Sequence, residues 1–302
     1  MAMLHLAFLQ SHSELESEDN LPLLPMASNL DLVNEADAFP YHNDDQDVYH
    51  FGVANVPATL GFILPPALDV LRGLPHWDVN DATRTVVLTG GGNADERSTV
   101  MEQTLLAMRE KGRFEVLKRW RHEAFPVYGP NKEVLLTIER CASPLFGITK
   151  QTYGGMLDST AEGGIASGET PLETLVRECE EEAALPPDLV RKHARAVGMI
   201  SNFYVRGERA GGETNLLQPE CHYVYDLPLP PDVVCRQNDD EVEEFHLWTV
   251  DEIKQALANR EFKPNCIMLD FFIRHGILTA ENEKDYIEIV SRLHRRLEFP
   301  TR

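Results

Sequence analysis

The sequence has few cysteines, and no two of them stand close enough to suggest a paired motif. Five cysteines are scattered through 302 residues without a C-x-x-C pair. An odd, dispersed set argues against a disulfide framework and against a structural zinc site. We therefore expect idle, reduced thiols at all five positions, which are Cys141, Cys179, Cys221, Cys235 and Cys266.

The chain also lacks a long apolar run and a targeting signal of a familiar kind. No apolar stretch approaches the roughly 20 residues that a membrane helix needs. The first ten residues are mildly apolar, but they carry no basic lead and run into an acidic stretch at 14–19. Signal and transit peptides differ from this pattern. We expect no membrane association and a cytoplasmic location.

Positive charge is scarce in this sequence. Only 28 Lys and Arg residues stand against 49 Asp and Glu residues, and the formal net charge is −21. Such a chain repels nucleic acid, so no nucleic-acid partner is expected. It also repels phosphorylated substrates, so a phosphate site needs metal ions, basic side chains or helix N-termini nearby. Nothing in the pattern indicates an oligomeric state.

Strand and helix patterns follow one another along a chain that is 43% hydrophobic, as is normal for a globular protein. Residues 1–28 are polar and acidic, and we expect them to form a loose, flexible tail. The later alternation of patterns indicates an α/β or α+β chain. Strands are predicted at 84–89, 134–138, 196–200, 222–227 and 242–248, and helices at 67–71, 98–111, 250–259, 267–275 and 281–297.

The most distinctive local pattern is a glycine loop followed by a charged helix at residues 163–185. Thr170 suits an N-cap, Pro171 suits the first helical position, and Glu173 completes a T-x-x-E capping box. The two prolines at 186–187 are expected to end the helix. A stripe at helical spacing predicts one buried face, formed by Leu172, Leu175, Val176, Cys179 and Ala183.

Three glutamates of this helix stand at positions i, i+3 and i+4, namely Glu178, Glu181 and Glu182. This spacing puts the three carboxylates on one face, where they repel one another. A divalent cation would reverse that repulsion, because hard cations bind a few carboxylates together with substrate phosphates. The spacing therefore predicts a metal platform for a diphosphate, and the competing interpretation is a solvated acidic face.

The wider pattern separates these two interpretations. It follows the Nudix signature, G-x5-E-x7-R-E-U-x-E-E-x-G-U, and the chain therefore resembles a Nudix hydrolase. The last glycine of the signature is Ala184 here, a departure that leaves every carboxylate in place. Six fixed positions match, at Gly163, Glu169, Arg177, Glu178, Glu181 and Glu182, and Cys179 and Leu185 occupy the apolar positions.

Flanking segments sharpen the resemblance over roughly residues 30–300. They are similar to the thiamine-pyrophosphokinase-related Nudix proteins of fungi and plants at 32–35, 120–123, 126–129, 270–276 and 293–297. That group implies a Nudix α/β/α sandwich with a mixed sheet at 131–302, preceded by a family-specific N-terminal α+β domain at 29–130. It also implies a small-molecule diphosphate substrate, with oxo and oxy forms of thiamine diphosphate converted to monophosphates.

The resemblance implies roles for the residues of the box. The three glutamates would hold Mg²⁺ or Mn²⁺, and Gly163 would contribute at the loop through its carbonyl. Glu169 would pair with Arg177 and brace the loop against the helix. The metal ions would polarise the bridging phosphate oxygens and orient water.

Residues outside the box are open to more than one interpretation. The general base is either Glu181 or a glutamate elsewhere, for which Glu241 is the best candidate, although a solvated acidic turn explains Glu241 equally well. Arg206 and Arg209 lie in a loop that could reach a phosphate or a base. Ordinary surface charge is the competing interpretation of both arginines.

The resemblance also exposes a shortened run before the box. Relatives carry a longer stretch between the equivalents of Phe146-Gly147 and Lys150, which supplies an early strand pair of the Nudix sheet. Here Pro144 and Gly147 interrupt the little chain that remains. We hypothesise an internal deletion that removes early Nudix strands. Two alternatives to a thiamine diphosphate hydrolase remain, a hydrolase of a nucleoside diphosphate derivative such as ADP-ribose and a truncated, inactive Nudix protein.

Overall fold

The chain divides into two units, each with its own core. The first comprises residues 1–37, 152–202 and 221–295, and the second comprises residues 38–151, 203–220 and 296–302. The computed structural model describes residues 3–9, 25–41, 47–148, 157–166, 168–207, 214–238, 242–262 and 266–301.

Helices and strands alternate along the chain, as expected for an α/β protein. The strands are β1 (Met3–Leu9), β2 (Tyr49–Val53), β3 (Gly61–Ile63), β4 (Trp77–Asn80), β5 (Thr85–Leu88), β6 (Ala124–Tyr128), β7 (Val134–Glu139), β8 (Leu157–Ser159), β9 (Arg195–Val205), β10 (Leu217–Asp226) and β11 (Val242–Thr249). The helices are α1 (Asn29–Ala36), α2 (Pro65–Leu71), α3 (Ala94–Glu110), α4 (Pro171–Ala183), α5 (Pro187–His193), α6 (Val250–Ala258), α7 (Ile267–Arg274) and α8 (Tyr286–Arg292). Short 3-10 helices lie at Glu115–Arg119 and Arg140–Phe146.

The second unit is built around a four-stranded mixed sheet with the order β3-β2-β5-β4. Strands β2 and β5 run parallel, and the other neighbours are antiparallel. Helix α3 begins at Asn93, whose side chain accepts a hydrogen bond from the Glu96 amide at 3.0 Å. The core is apolar and tightly closed, and its fully buried side chains include Phe51, Leu88, Met101, Leu105 and Phe146.

A β-hairpin of the second unit spans the predicted domain boundary between residues 130 and 131. Strands β6 and β7 pair from Ala124 opposite Glu139 to Tyr128 opposite Val134, so the chain cannot divide between them. A Cβ on Gly61 would lie 2.3 Å from the Phe146 carbonyl oxygen, so the turn after β7 packs closely on β3. From residue 140 to residue 148 the chain forms no strand, and the residues that follow, 149–156, lie outside the described ranges.

A three-stranded antiparallel sheet in the first unit has the order β11-β1-β8. Strand β1 pairs on both sides, with Ala7 opposite Phe245 in β11 and opposite Asp158 in β8. The expectation of a loose tail from residue 1 is therefore wrong for Met3–Leu9. Residues 3–9 are apolar except for His5, and a segment of this kind forms a strand when both neighbouring strands supply hydrogen bonds.

The helices of the first unit enclose a second apolar core, and the last of them is shorter than predicted. The pattern predicts a helix at 281–297, whereas α8 covers only Tyr286–Arg292. After α8, Arg295 forms a buried ion pair with Asp37, with 3.0 Å between Arg295 Nη1 and Asp37 Oδ1. Arg292 also contacts Asp37, with its Nε 3.3 Å from Oδ2. These contacts with the end of α1 fix the chain in an extended path that a continued helix would not allow.

Helix α4 carries the box and follows most of its predicted pattern. The Thr170 hydroxyl accepts the Glu173 amide at 3.3 Å, and Pro171 occupies the first turn. The predicted capping box is incomplete, because the Glu173 carboxylate accepts from Arg191 Nη1 at 2.5 Å instead. The predicted apolar stripe is confirmed, since Val176, Cys179 and Ala183 are buried together, with Leu172 and Leu175 packed against them.

Helix α4 ends in a glycine-type cap, although no glycine is present. Ala184 has φ +52°, in the left-handed region. The Leu185 amide donates to the Cys179 carbonyl at 3.0 Å, and the Ala184 amide donates to the Glu180 carbonyl at 3.2 Å. The Ala184 bond closes the left-handed cap that usually uses glycine, whereas we expected the prolines alone to stop the helix. An alanine in this conformation carries strain of about 1 kcal/mol.

Replacing Ala184 with glycine should therefore stabilise the protein by up to about 1 kcal/mol, because Ala184 is exposed and loses no packing. The measurement is thermal unfolding of Ala184→Gly beside Ala183→Gly, a neighbouring substitution at a buried helical residue. The second variant should lower the melting temperature. Equal destabilisation by both substitutions would contradict the strained cap.

Candidate active site

Three carboxylates project from one face of α4, and they differ in exposure. The side chain of Glu178 is 13% exposed and that of Glu181 is 53% exposed. Glu182 is buried. The solvent exposure of the three predicted carboxylates thus increases from Glu182 through Glu178 to Glu181. Such a gradient lets one group meet solvent while the others are held by the fold.

The loop at the start of the box packs directly against this helix through three consecutive residues, 162–164. The Glu162 amide donates to Glu182 Oε2 at 3.1 Å, and the Gly164 carbonyl accepts from Arg177 Nη2 at 3.3 Å. Between them, a Cβ on Gly163 would lie 1.7 Å from Glu178 Oε1. A larger residue here would displace the Glu178 carboxylate from its place, which gives a steric reason for the first residue of the motif.

Glu169 and Arg177 form the brace that the box predicts. Arg177 Nε donates to Glu169 Oε1 at 3.0 Å, and Nη2 donates to Oε2 at 3.1 Å. The Thr174 hydroxyl adds a third bond to Oε2 at 2.8 Å. The Arg177 hydrogen bond, with help from Thr174 and against a smaller opposing effect of burial, lowers the pKa of Glu169 from 4.5 to about 2.

Arg177 makes further contacts that the sequence interpretation did not include. Its Nη1 lies 2.8 Å from Glu178 Oε1 and 3.0 Å from Glu181 Oε2. One guanidinium thus offsets the repulsion between two of the three carboxylates. The hydrogen bond with Glu169, together with the charge of Glu178, raises the pKa of Arg177. The i, i+4 spacing of Arg177 and Glu181 was the available signal for this contact.

The chemistry of this surface fits a hard divalent cation. Its donors are oxygens, which Mg²⁺ and Mn²⁺ prefer, and the Gly163 cleft brings the loop against one of them. In the described part of the chain, no three His, Cys, Asp or Glu side chains come together at metal-ligand spacing. Arg177 holds Glu178 and Glu181, so cation binding requires these two carboxylates to leave the guanidinium.

Cysteine thiols supply no further ligand chemistry beside the box. Burial is the main cause that raises the pKa of Cys179 to about 12 and of Cys235 to about 11. Both thiols lie in the apolar cluster that packs under α4, so burial disfavours their thiolate form. In the described part of the chain, no disulfide joins any of the five cysteines.

The structure places only some of the predicted residues outside the box. Glu241 and Arg209 lie outside the described residues, so their roles stay predictions. Arg206 belongs to the second unit and is only 7% exposed, which rules out ordinary surface charge. Its backbone amide donates to the Leu216 carbonyl at 2.9 Å, next to the paired strands β9 and β10.

Two residues beside the box were missed by the sequence interpretation. Glu162 precedes the first glycine, and its Oε1 lies 3.4 Å from Nδ1 of His222 in β10. Both side chains are largely buried, at 19% and 12% exposed. The position of Glu162 next to the motif was a usable signal. Nothing in the sequence marked His222, because 60 residues separate it from its partner.

The chain is similar to known proteins over almost all of its length. A NUDIX domain model matches residues 118–268, half of the chain, and a domain of unknown function, DUF4743, matches residues 30–150. It is 31% identical over 332 aligned positions to Uncharacterized protein YJR142W of Saccharomyces cerevisiae, covering 97% of this chain and 94% of that protein.

Two plant proteins are also similar. The chain is 29% identical to Nudix hydrolase 20, chloroplastic, and 30% identical to Nudix hydrolase 24, chloroplastic, both of Arabidopsis thaliana. The matches cover 67% and 66% of this chain but only 59% and 60% of the plant proteins.

These matches, together with the glycine loop on the carboxylate helix, show that the chain belongs to the Nudix hydrolase family. It is a Nudix pyrophosphohydrolase, a class of enzyme that generally uses divalent metal ions and acts on small-molecule diphosphates. The family assigned from residues 163–185 is confirmed. Within the described ranges, no helix is both long and apolar enough to cross a bilayer.

The Glu169–Arg177 brace should make stability depend on pH. The lowered pKa means that the charged pair stabilises the fold above pH 4.5, and this contribution disappears as the pH falls from there towards 2. Glu169→Gln should cost about 2 kcal/mol at pH 7, the size of a charge-assisted hydrogen bond. The measurement is thermal unfolding of wild type and variant at pH 7 and at pH 3, where their difference should shrink.

A matched control for this prediction lies on the same helix. Glu173 pairs with Arg191 through side chains that are both about half exposed, so Glu173→Gln should change stability much less. Equal losses in the two variants, or a difference from wild type that does not shrink at low pH, would contradict the brace.

Gly163→Ala should disrupt the loop, because its methyl group would occupy the place of the Glu178 carboxylate. We expect Mn²⁺ affinity to fall by about tenfold or more, the effect typical of lost support around a metal. Gly207→Ala is the control, since a Cβ there meets nothing within 4 Å and the backbone needs no glycine. If Gly163→Ala binds Mn²⁺ with unchanged affinity, the loop is not part of the metal site.

Proposed function

We propose that the chain is a Mg²⁺- or Mn²⁺-dependent hydrolase that converts oxo and oxy analogues of thiamine diphosphate to the monophosphates. In this proposal Glu178, Glu181, Glu182 and the Gly163 carbonyl hold the metal ions. Divalent ions bound there would polarise the bridging phosphate oxygens and lower the pKa of a bound water. The protein supplies the positions of these ligands and the group that accepts the proton.

The observation that carries the proposal is the contact between the glycine loop and the carboxylates of α4. Three consecutive loop residues meet Glu182, Glu178 and Arg177 in turn. An acidic helix face in simple contact with solvent would not require a glycine beside Glu178. Divalent ions held there would supply the local attraction for a diphosphate that a chain of net charge −21 needs.

Glu181 is the favoured general base among the described residues. It is the most exposed of the three carboxylates, so water can reach it, while Glu182 is buried. Its Oε2 accepts a hydrogen bond from Arg177 Nη1 at 3.0 Å, which fixes the carboxylate at the edge of the loop and helix. Glu241 remains the alternative base, and Arg206 and Arg209 remain candidates for substrate binding.

The preference for thiamine analogues rests on the flanking segments of the sequence and not on the box. The names of the similar plant proteins specify Nudix hydrolases without a substrate. ADP-ribose therefore stays the leading alternative among diphosphates. The cytoplasmic location also stays a prediction, because both plant relatives are named as chloroplastic.

One observation bears on the shortened run that defines the third candidate, a truncated and inactive protein. The alignment with the yeast relative spans 332 positions, whereas this chain has 302 residues, so at least 30 positions are gaps in this chain. Gaps of this number agree with the hypothesised deletion near Phe146–Lys150. Sequencing the transcript across this junction would show whether an exon was skipped.

Phosphate release from a panel of diphosphates tests the proposal directly. The full chain should release phosphate from oxo-thiamine diphosphate only when Mg²⁺ or Mn²⁺ is present. Hydrolysis of ADP-ribose, measured as phosphate that a phosphatase frees from its monophosphate products, should be slower. Glu181→Gln should lower kcat by about 10²- to 10⁴-fold, the contribution of a general base. Glu180→Gln is the control, because this neighbouring glutamate is exposed and occupies a variable position of the motif.

Each contrary outcome points to one part of the proposal. Activity on ADP-ribose with none on thiamine analogues would overturn the substrate class. An equal loss of kcat in the Glu181 and Glu180 variants would show that Glu181 is not the general base. No metal-dependent release from any diphosphate would overturn the activity and favour the truncated, inactive protein.

A further inference from the structure

We infer that His222 is a positioning residue for the metal-binding loop and acts through Glu162. The inference rests on the proposed function only in taking this loop as part of the metal site. His222 lies outside the Nudix motif, and it would touch neither substrate nor metal. Its role would be to hold the start of the loop against α4.

The side chain of His222 points away from solvent. It shares one face of β10 with Val224, which is 7% exposed, while the intervening Tyr223 is 40% exposed on the other face. The His222 side chain itself is 12% exposed. A polar ring on the buried face of a strand needs a polar neighbour, and Glu162 Oε1 lies 3.4 Å from its Nδ1.

Glu162 connects this histidine to the carboxylate face by two routes. Its side chain meets His222, and its backbone amide donates to Glu182 Oε2 at 3.1 Å. Gly163, the next residue, lies so close to Glu178 that a Cβ would overlap the carboxylate. A shift of Glu162 therefore moves both the partner of Glu182 and the backbone that faces Glu178.

The other end of the loop has its own support. Arg177 Nη2 holds the Gly164 carbonyl, and Arg177 is itself held by Glu169. The motif thus fixes the loop from the helix side, whereas His222 fixes it from a strand that the motif does not include. Loss of the strand-side contact should loosen the loop without unfolding α4.

The test uses the full chain with His222→Ala, His222→Asn and Glu162→Ala. We expect His222→Ala to weaken Mn²⁺ binding about tenfold and to speed amide hydrogen exchange at residues 162–164. His222→Asn should keep most of the wild-type Mn²⁺ affinity and most of the amide protection at residues 162–164. The reason is that the amide nitrogen of asparagine is as many bonds from Cα as Nδ1 of histidine is. Adding Glu162→Ala to His222→Ala should cause little further loss, since the two side chains act as a pair.

His246→Ala is the matched control. His246 also pairs with a glutamate, at 3.1 Å between its Nε2 and Glu244 Oε1, but it lies on β11 beside a more exposed partner. This variant should bind Mn²⁺ and exchange its loop amides as wild type does. The inference is overturned if the two alanine variants behave alike, if His222→Asn is no better than His222→Ala, or if the losses from His222 and Glu162 simply add.

These readouts separate this inference from the proposed function. A wild-type chain that binds Mn²⁺ but hydrolyses nothing would overturn the activity, and the variants would still decide the role of His222. Normal hydrolysis with no effect of His222→Ala would overturn the inference and leave the activity intact. If the wild-type chain binds no Mn²⁺, the rate of amide exchange at residues 162–164 is the measurement that decides the role of His222.

Discussion

The close contact between a glycine loop and a helix carrying three glutamates is the constraint on which this site depends. The backbone of residues 162–164 lies so near α4 that Gly163 has no room for a side chain beside Glu178. Backbone bonds on either side, from Glu162 to Glu182 and from Arg177 to Gly164, hold the loop at that distance. The position of each carboxylate therefore depends on the loop as much as on the helix.

Arg177 resolves the electrostatic problem that this arrangement creates. Three glutamates on one helical face repel one another, and in a chain of net charge −21 little else offsets them. The guanidinium contacts Glu178 and Glu181 with Nη1, and its Nε and Nη2 bind Glu169. The bidentate pair with Glu169 fixes the arginine, so a cation can replace Nη1 at the carboxylates while the brace stays formed.

Local features of the site followed from the sequence, and contacts between distant segments did not. The Thr170 cap and the apolar stripe of α4 depend on residues a few positions apart, and the structure confirms both. The pairing of Glu162 with His222 and the place of β1 between β8 and β11 depend on segments far apart in the chain. Propensity and periodicity carry no signal for such contacts. Ala184 is an intermediate case, because the motif has glycine at this position and the alanine adopts the left-handed conformation that glycine favours, whereas the prolines alone were expected to end the helix.

Anomalous scattering from crystals of the full chain soaked in Mn²⁺ tests the central claim most directly. The account predicts a peak within coordination distance of carboxylate oxygens of α4 and of the Gly163 carbonyl, with Nη1 of Arg177 displaced from Glu178. Arg177 should keep its two bonds to Glu169. A soaked crystal with no peak at this helix, and with Arg177 still on Glu178 and Glu181, would contradict the account.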